Sequence, residues 1–339
     1  MSFTIRENEP LCTLTTWKTG GEAQFFGSVT TEAELVEAVL YAHTRLLKLT
    51  VIGGGSNVLV SDTGVKGLVI QMAIKGIEAH EVGSEVFLTV GAGEVFDEVI
   101  AETVDRGYWG LENLSHIPGT VGATPVQNVG AYGVEVGSLI SLVRVYDTVL
   151  ETFSSMSASD CQFGYRDSIF KHREGERYVV TAVTYCLSKQ ANPQIVYRDL
   201  AERFNHLIPT QADIRAAVID VRSKKFPDWH TVGTAGSFFK NPIVIRTEYE
   251  ALQATYPELP MYEVDAAHVK IPLGWILDHV LKLKGQGTAT VGCFEGQALV
   301  LVNRGGANTS DVVSFANSIV NKVFEQTGIM VEWEVRLLG

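Results

Sequence analysis

The chain has 339 residues, enough for two or three domains at roughly 100–200 residues each, and is 46% hydrophobic against 19% charged. That balance excludes a disordered, collagenous or coiled-coil chain, and a chain of this size buries roughly three quarters of its unfolded surface without staples. A net charge of −12 argues against general binding to nucleic acid or to a membrane surface, but leaves room for an anionic small ligand held by a few local cations.

The opening MSFTIRENEP has no apolar core of the kind a secretory leader carries. No apolar run approaches about 18 residues, so a cytoplasmic protein without membrane contact is expected. Residues 31–46 are predicted helical: Thr31 and Glu34 form a capping-box pattern, and Leu35, Val39, Ala42 and Leu46 recur on one face. A short apolar strand at 49–52 follows, then the glycine-rich turn 53–57, then a second strand at 58–60. Short strands at 67–72 and 86–90 flank Gly83-Ser84, and a helix at 94–106 carries Val95, Val99 and Val104 and closes at Gly107. Further strands are predicted at 142–146 and, from alternating apolar positions, at 178–187. Helices follow at 211–226 (Ile214, Val218, Val221, stopped by Pro227) and at 273–284, stopped by Gly285. An apolar strand at 297–303, an amphipathic helix at 310–326 with Gly328 as its cap, and a terminal strand at 331–338 complete the chain. In that last strand alternation puts Glu332, Glu334 and Arg336 opposite Trp333 and Val335. No internal repeat or low-complexity linker marks a domain border. Cys12, Cys161, Cys186 and Cys293 form no C-x-x-C and no zinc spacing, so reduced, mostly buried thiols and no metal site are expected.

Two segments stand out chemically. Residues 117–133, IPGTVGATPVQNVGAYG, lie in a stretch, 113–134, with no Asp, Glu, Lys or Arg. A glycine- and proline-rich loop without charge packs against something, and its N–H groups need acceptors. A buried structural loop satisfies this, and so does a large anionic cofactor approached closely by backbone amides. Gly53-Gly54-Gly55-Ser56-Asn57 between two strands suits either a hairpin turn or a phosphate nest. It is not the dinucleotide fingerprint, because Val58 stands at the third glycine position and no helix follows. Two such cradles together point to a dinucleotide held outside a Rossmann fold.

Other segments offer reactive groups. In GSFFKNP (236–242) the Ser237 hydroxyl is an acid, a nucleophile or a cap, and no G-x-S-x-G elbow supports hydrolysis. Lys224-Lys225 before Phe226-Pro227 is a solvated pair or a phosphate contact. Arg166 in GYRDS presents a fork that matches a carboxylate, or else pairs with Asp167 at the surface. Glu334 matters only if its strand returns to a cleft.

The set GGGSNVLV, IPGTVGATPVQNVGAYG, FGYRDS, KKFPD, GSFFKNP and EVRLLG resembles the flavin-dependent UDP-N-acetylenolpyruvoylglucosamine reductases from about residue 14 to the C-terminus. VYRDL at 196–200 is similar to the type I members, which carry a tyrosine-bearing loop over the substrate. The resemblance implies an α+β chain. It would hold a vanillyl-alcohol-oxidase-type FAD-binding fold of two α/β subdomains (1–67; 68–227 with 327–339) and a smaller α+β substrate-binding domain (228–326).

It implies NADPH-dependent, FAD-mediated reduction of the enolpyruvyl group of UDP-N-acetylglucosamine enolpyruvate to UDP-N-acetylmuramate, in peptidoglycan precursor synthesis, by a monomer. The related alternative is a flavin-dependent alcohol or lactone oxidase or dehydrogenase of the same fold. By position, Arg166, Ser237 and Glu334 match catalytic residues. FAD is implied at Gly53, Gly54, Gly55, Ser56, Asn57, Pro118, Gly119, Thr120, Gly122, Ala123, Gln127, Asn128, Gly130, Ala131, Tyr132 and Gly133. Tyr197, Lys225, Asn241 and Gln297 match the sites of the sugar nucleotide. Two positions depart from the family pattern: Trp17 stands where many members have Phe, and Trp333 precedes Glu334 where Pro is common.

Overall fold

The computed structural model describes residues 3–205 and 207–339. The chain divides into two compact units: one holds Met1–Glu9, Ala23–Gly55 and Lys66–Arg222, the other Pro10–Glu22, Ser56–Val65 and Ser223–Gly339.

In the first unit a four-stranded sheet orders Arg6–Pro10, Glu22–Val29, Val65–Met72 and Leu49–Ile52, the last pair parallel with Leu49 opposite Leu68. Leu68, Val69 and Ile70 are all fully buried, so both faces of that strand are covered. Helix Glu32–Thr44 buries Leu35, Val39 and Ala42 as expected, together with Ala38, but Leu46 lies beyond its end at φ 53° and is exposed. Its cap is split: the Thr31 hydroxyl accepts from Glu34 N, but Glu34 accepts in return from Thr30 N at 2.7 Å.

A five-stranded antiparallel sheet orders Thr152–Ser157, Ile140–Asp147, Tyr178–Ser188, Glu85–Gly91 and Ile77–Val82. Its two edge strands expose most of their residues and carry no apolar alternation, which is why the sequence does not announce them. Helix Phe96–Asp105 packs Phe96, Val99 and Ile100 into the core beneath Tyr185. It starts two residues later than the spacing predicts. Glu94 O and Phe96 N are already paired with Val121 N and Gly119 O, so the chain there runs extended beside the 117–133 loop.

Arg215, on helix Gln211–Lys225, donates to Asp97 at 2.6 and 3.1 Å, and His116 N donates to the same carboxylate. Burial pushes the Asp97 carboxyl up, and the Arg215 hydrogen bonds with the His116 N–H more than offset this, leaving it below the usual range. A depressed folded value contributes stability that is present above the unfolded pKa of about 3.9 and is lost as pH falls through the folded value. Asp97→Asn is expected to cost about 1.5–3 kcal/mol at neutral pH. The gap to wild type should close in acid, and denaturant titrations on both sides of pH ~3.9 check it.

The second unit has its own core of Trp17, Leu59, Phe238, Phe239, Leu277, Leu301, Val312 and Ile319 with their neighbours. Helix Thr309–Thr327 buries Val312, Ala316, Ile319 and Val323, opens on a full Asn308–Asp311 capping box and closes on Gly328 at φ 71°. Asp62 ties down the same end, accepting from Thr309 N, Ser310 N and the Ser310 hydroxyl. The terminal strand is shorter than predicted: only Arg336–Leu338 forms a ladder, parallel to Val58–Val60, with a single bridge at Trp333. The strand expected at 297–303 is likewise confined to Leu301–Asn303, because 297–300 makes a turn closed by Val300 N donating to Gln297 O.

The helix expected at 273–284 is one turn, Leu273–Trp275, running into a π-helix, Ile276–Val280. Leu281 N reaches back five residues to Ile276 O, while Asp278 is tied sideways to Ala298 N and to Lys284. These lateral ties widen the turn. Among the described residues no helix is long and apolar enough to cross a membrane.

Candidate functional site

The two glycine-rich segments, far apart in sequence, meet in the first unit. A Cβ placed on Gly53 would overlap the Thr120 hydroxyl, and one on Gly54 would come 3.1 Å from Gly119 Cα. Gly55 follows at φ 64°, a left-handed turn that favours glycine. Thr120 Oγ1 is buried with no partner among the described residues. Pro118 leads into this edge; beyond it Gly122 N donates to Ala92 O at 2.8 Å, and helix Ala123–Gln127 begins.

Asn128 ends that helix at φ 41°. Its side chain donates to Gly164 O and Glu135 and accepts from Gly137 N, so it pins the loop to the arginine-bearing turn. Gly130–Ala131 then pair with Val134–Glu135 around Tyr132 and Gly133.

Arg166 sits at φ 53° in a turn closed by reciprocal bonds between Gly164 and Asp167, at 3.0 and 3.1 Å. Its Nη2 donates to Gly130 O at 2.8 Å, which aims the fork along the glycine loop. Asp167, the alternative partner, lies 2.9 Å from His172 Nε2. Lys171 Nζ donates to Arg166 O at 2.8 Å and to Gln127 Oε1 at 3.1 Å, joining the arginine turn to the loop. Tyr132 packs edge-on against Tyr197, ring centroids 5.1 Å apart. Burial pushes the Tyr132 phenol up to about 12, against the pull of Arg222, with which it shares a hydrogen bond. Arg222 is itself buried, and its Nε donates to His116 O at 3.0 Å.

His116, Asn128, Tyr132 and Arg166 all hold left-handed backbone angles, between 41° and 60°. Each such non-glycine residue costs about 1–3 kcal/mol and persists only where its surroundings over-determine it. Sequence reasoning missed Lys171 and Arg222. Arg222 had a signal: it continues the Ile214–Val218 face of its helix, so a cation lands on the buried side.

The second unit assembles Ser237, Glu334 and Asn57. Phe239 pairs antiparallel with Trp333, Lys240 N donates to Glu332 O, and Glu334 N donates to Phe238 O at 2.9 Å. Asn57 Nδ2 donates to Glu334 O at 3.1 Å, and Arg336 N donates to Asn57 O. Trp17 and Trp333, the two departures from the family pattern, both meet the Phe238 ring edge-on, at 5.9 and 5.0 Å. The Lys240 ammonium is spent on Glu332, 2.8 Å away.

Asn241 Oδ1 accepts from Leu273 N at 2.9 Å, Lys225 ends the Gln211–Lys225 helix, and Gln297 Oε1 is buried without a partner among the described residues. Ser56 and Asn57 thus fall in this unit, and Gly53, Gly54 and Gly55 in the other. Of the three expected catalytic residues, Ser237 and Glu334 are brought together here, and Arg166 belongs to the first unit. Burial pushes the Cys161 and Cys293 thiols up to about 12, so neither is a nucleophile.

Residues 23–152 match the model of an FAD binding domain, and residues 228–338 that of the UDP-N-acetylenolpyruvoylglucosamine reductase C-terminal domain. The chain is 39% identical to the UDP-N-acetylenolpyruvoylglucosamine reductase of Photobacterium profundum, over 94% of this chain and 92% of that one. To the enzyme of the same name from Bacteroides fragilis it is 41% identical, over 85% and 86%. The crystal structure of the Thermus caldophilus reductase superposes with a TM-score of 0.69 at 25% identity, covering 99% of this chain and all of that one.

Proposed function

The chain belongs to the UDP-N-acetylenolpyruvoylglucosamine reductase family, and on that premise we propose a role for each group of residues just described. The protein is a flavin-dependent oxidoreductase that uses NADPH to reduce the enolpyruvyl group of UDP-N-acetylglucosamine enolpyruvate to UDP-N-acetylmuramate. Its fold is the vanillyl-alcohol-oxidase-type FAD-binding fold with the reductase C-terminal domain appended.

The residues present fit FAD. Gly53 and Gly54 let the 53–57 turn pack directly against Gly119 and Thr120, where a Cβ would collide, and the orphaned Thr120 hydroxyl at this contact lacks the acceptor that a phosphate oxygen supplies. This shared cradle carries the reading. Gly53–Asn57 and the 118–133 loop would hold the cofactor, with Tyr132 and the Arg166 turn at the end of the loop. When bound, FAD takes two electrons from NADPH and delivers them to the enolpyruvyl double bond.

The remaining steps belong to the chain. Addition to the terminal carbon builds negative charge at the α-carbon and its carboxylate, and charge is best stabilised where it develops. Arg166, held by Gly130 O and Lys171, grips the carboxylate. Glu334 adds a polar contact to the substrate, and Ser237 delivers the proton that quenches the α-carbon. Tyr197, Lys225, Asn241 and Gln297 bind the uridine diphosphate part, Asn241 and Gln297 from a substrate domain of residues 228–326, Tyr197 and Lys225 from the cofactor-binding subdomain 68–227 with 327–339; residues 1–67 form the other cofactor-binding subdomain. We also place the protein in the cytoplasm as a monomer, where NADPH and nucleotide sugars are formed.

The reading is tested on the purified protein by its visible spectrum. Anaerobic NADPH should bleach the yellow colour, and the enolpyruvyl sugar nucleotide should restore it. Flavin inert to NADPH, with oxygen consumed in the presence of an alcohol, would overturn the reading. Lys225→Ala is expected to raise the KM for the sugar nucleotide about 10- to 100-fold, the worth of one charge-assisted hydrogen bond, with flavin retained. Protein that purifies colourless yet shows normal KM once FAD is restored would move Lys225 to the cofactor.

A further inference from the structure

The π-helix Ile276–Val280 places Asp278 against the turn that carries Gln297. Asp278 Oδ1 accepts from Ala298 N at 3.2 Å, Oδ2 lies 3.0 Å from Lys284 Nζ, and the side chain is only 15% exposed. A nearly buried carboxylate loses hydration that a single ion pair repays poorly, so an apolar residue would serve the core at least as well. The π-turn that presents it is rare and concentrates at functional sites.

Its target is short and rigid. Val300 N donates to Gln297 O at 3.1 Å, Phe238 N donates to Leu299 O at 2.9 Å, and Val300 bridges Ser237. The turn therefore has the proton-donor segment on one side and Asp278 on the other. Gln297 itself keeps a buried amide oxygen unpartnered among the described residues, while Gly274 opposite its amide nitrogen adds no bulk. An amide held open at that cost of about 1–3 kcal/mol is set for a ligand.

We propose that Asp278 is a positioning residue: it anchors the 297–300 turn so that Gln297 meets the sugar nucleotide at a fixed angle. The proposal rests on the reading of Gln297 given above. Lys284 pairs with Oδ2, and Ala298 N bonds to the other oxygen, Oδ1, so the Ala298 hydrogen bond, not the charge, carries the effect.

The test uses the holoenzyme and four variants. Asp278→Ala should raise the KM for the enolpyruvyl sugar nucleotide at least about tenfold, the usual effect of losing an orienting partner, with flavin content and the rate of bleaching by NADPH unchanged. Asp278→Asn keeps an oxygen for Ala298 N and should stay within about threefold of wild type. Gln297→Ala should raise KM alone, and adding Asp278→Ala to it should change KM less than about twofold, since the anchor then has nothing left to orient.

A lower melting temperature with unchanged KM in Asp278→Ala, or independent and multiplying effects in the double variant, would overturn the proposal while leaving Gln297 in place. An unchanged KM in Gln297→Ala would overturn the underlying reading and this proposal with it. Should Asp278→Ala not fold, Asp278→Glu, whose extra methylene carries the carboxylate off Ala298 N, is judged by the same readouts.

Discussion

Ser237→Ala is expected to bleach with NADPH at the wild-type rate and then to regain its colour about 10²–10⁴ times more slowly when the enolpyruvyl sugar nucleotide is added. The split follows from where the side chain sits. Phe238 N is bonded to Leu299 O, Phe238 O to Glu334 N, and the Phe238 ring is wedged by Trp17, Phe239 and Trp333. Removing one hydroxyl from so constrained a segment deletes an oxygen and moves nothing else. The reductive half-reaction asks for no proton at the substrate α-carbon, so it is spared. The oxidative half does, and a neutral alcohol is a weak acid whose help depends on position and on exclusion of water. Stopped-flow absorbance on each half-reaction separates the two. Equal losses in both would mean that Ser237 shapes the site and does not supply the proton.

The helices 32–44 and 309–327 were legible because a cap and the apolar spacing agree, Thr31 with Leu35 and Val39 in one, Gly328 with Val312 and Ile319 in the other. The glycine cradle was legible as chemistry but not as geometry. That Gly53 and Gly54 face Gly119 and Thr120 is a long-range contact that no local pattern encodes.

Where prediction ran long, a side chain or a backbone partner from elsewhere had taken over the local hydrogen bonding. Glu94 and Phe96 are captured by Val121 and Gly119, Ala298 by Asp278, and Glu332 and Glu334 by Lys240 and Phe238. Each capture falls beside residues that the family resemblance assigns to the site, where local rules are most often overridden. The roles of Arg166, Ser237 and Glu334 came from the family resemblance. Spacing alone left each of them with an ordinary structural explanation.

Gly53→Ala tests the cradle directly, and the variant is expected to purify with less than about a tenth of the wild-type flavin, as an overpacked contact costs about 1–3 kcal/mol. The added methyl would overlap the Thr120 hydroxyl. The Thr120 backbone cannot retreat: it bridges Val95, its carbonyl accepts from Ala123 N at 3.0 Å, and its neighbour Val121 donates to Glu94 O at 2.9 Å. Strain therefore falls on the 53–57 turn or on the Thr120 rotamer, and either change spoils the cradle.

The second-site variant decides between a clash and mere loss of a flexible residue. With Thr120→Ala added, the nearest surviving atom is the residue 120 Cβ at 3.6 Å, an ordinary contact, so flavin binding should recover above the single Gly53→Ala variant. It should stay below wild type by the worth of the lost Thr120 hydroxyl hydrogen bond, about 0.5–1.5 kcal/mol, and Thr120→Ala alone should show that deficit by itself. Fluorescence titration of apoprotein with FAD measures all three. A Gly53→Ala protein of full affinity, or a double variant no better than the single, would mean that Gly53 and Thr120 do not share the wall of the cofactor site.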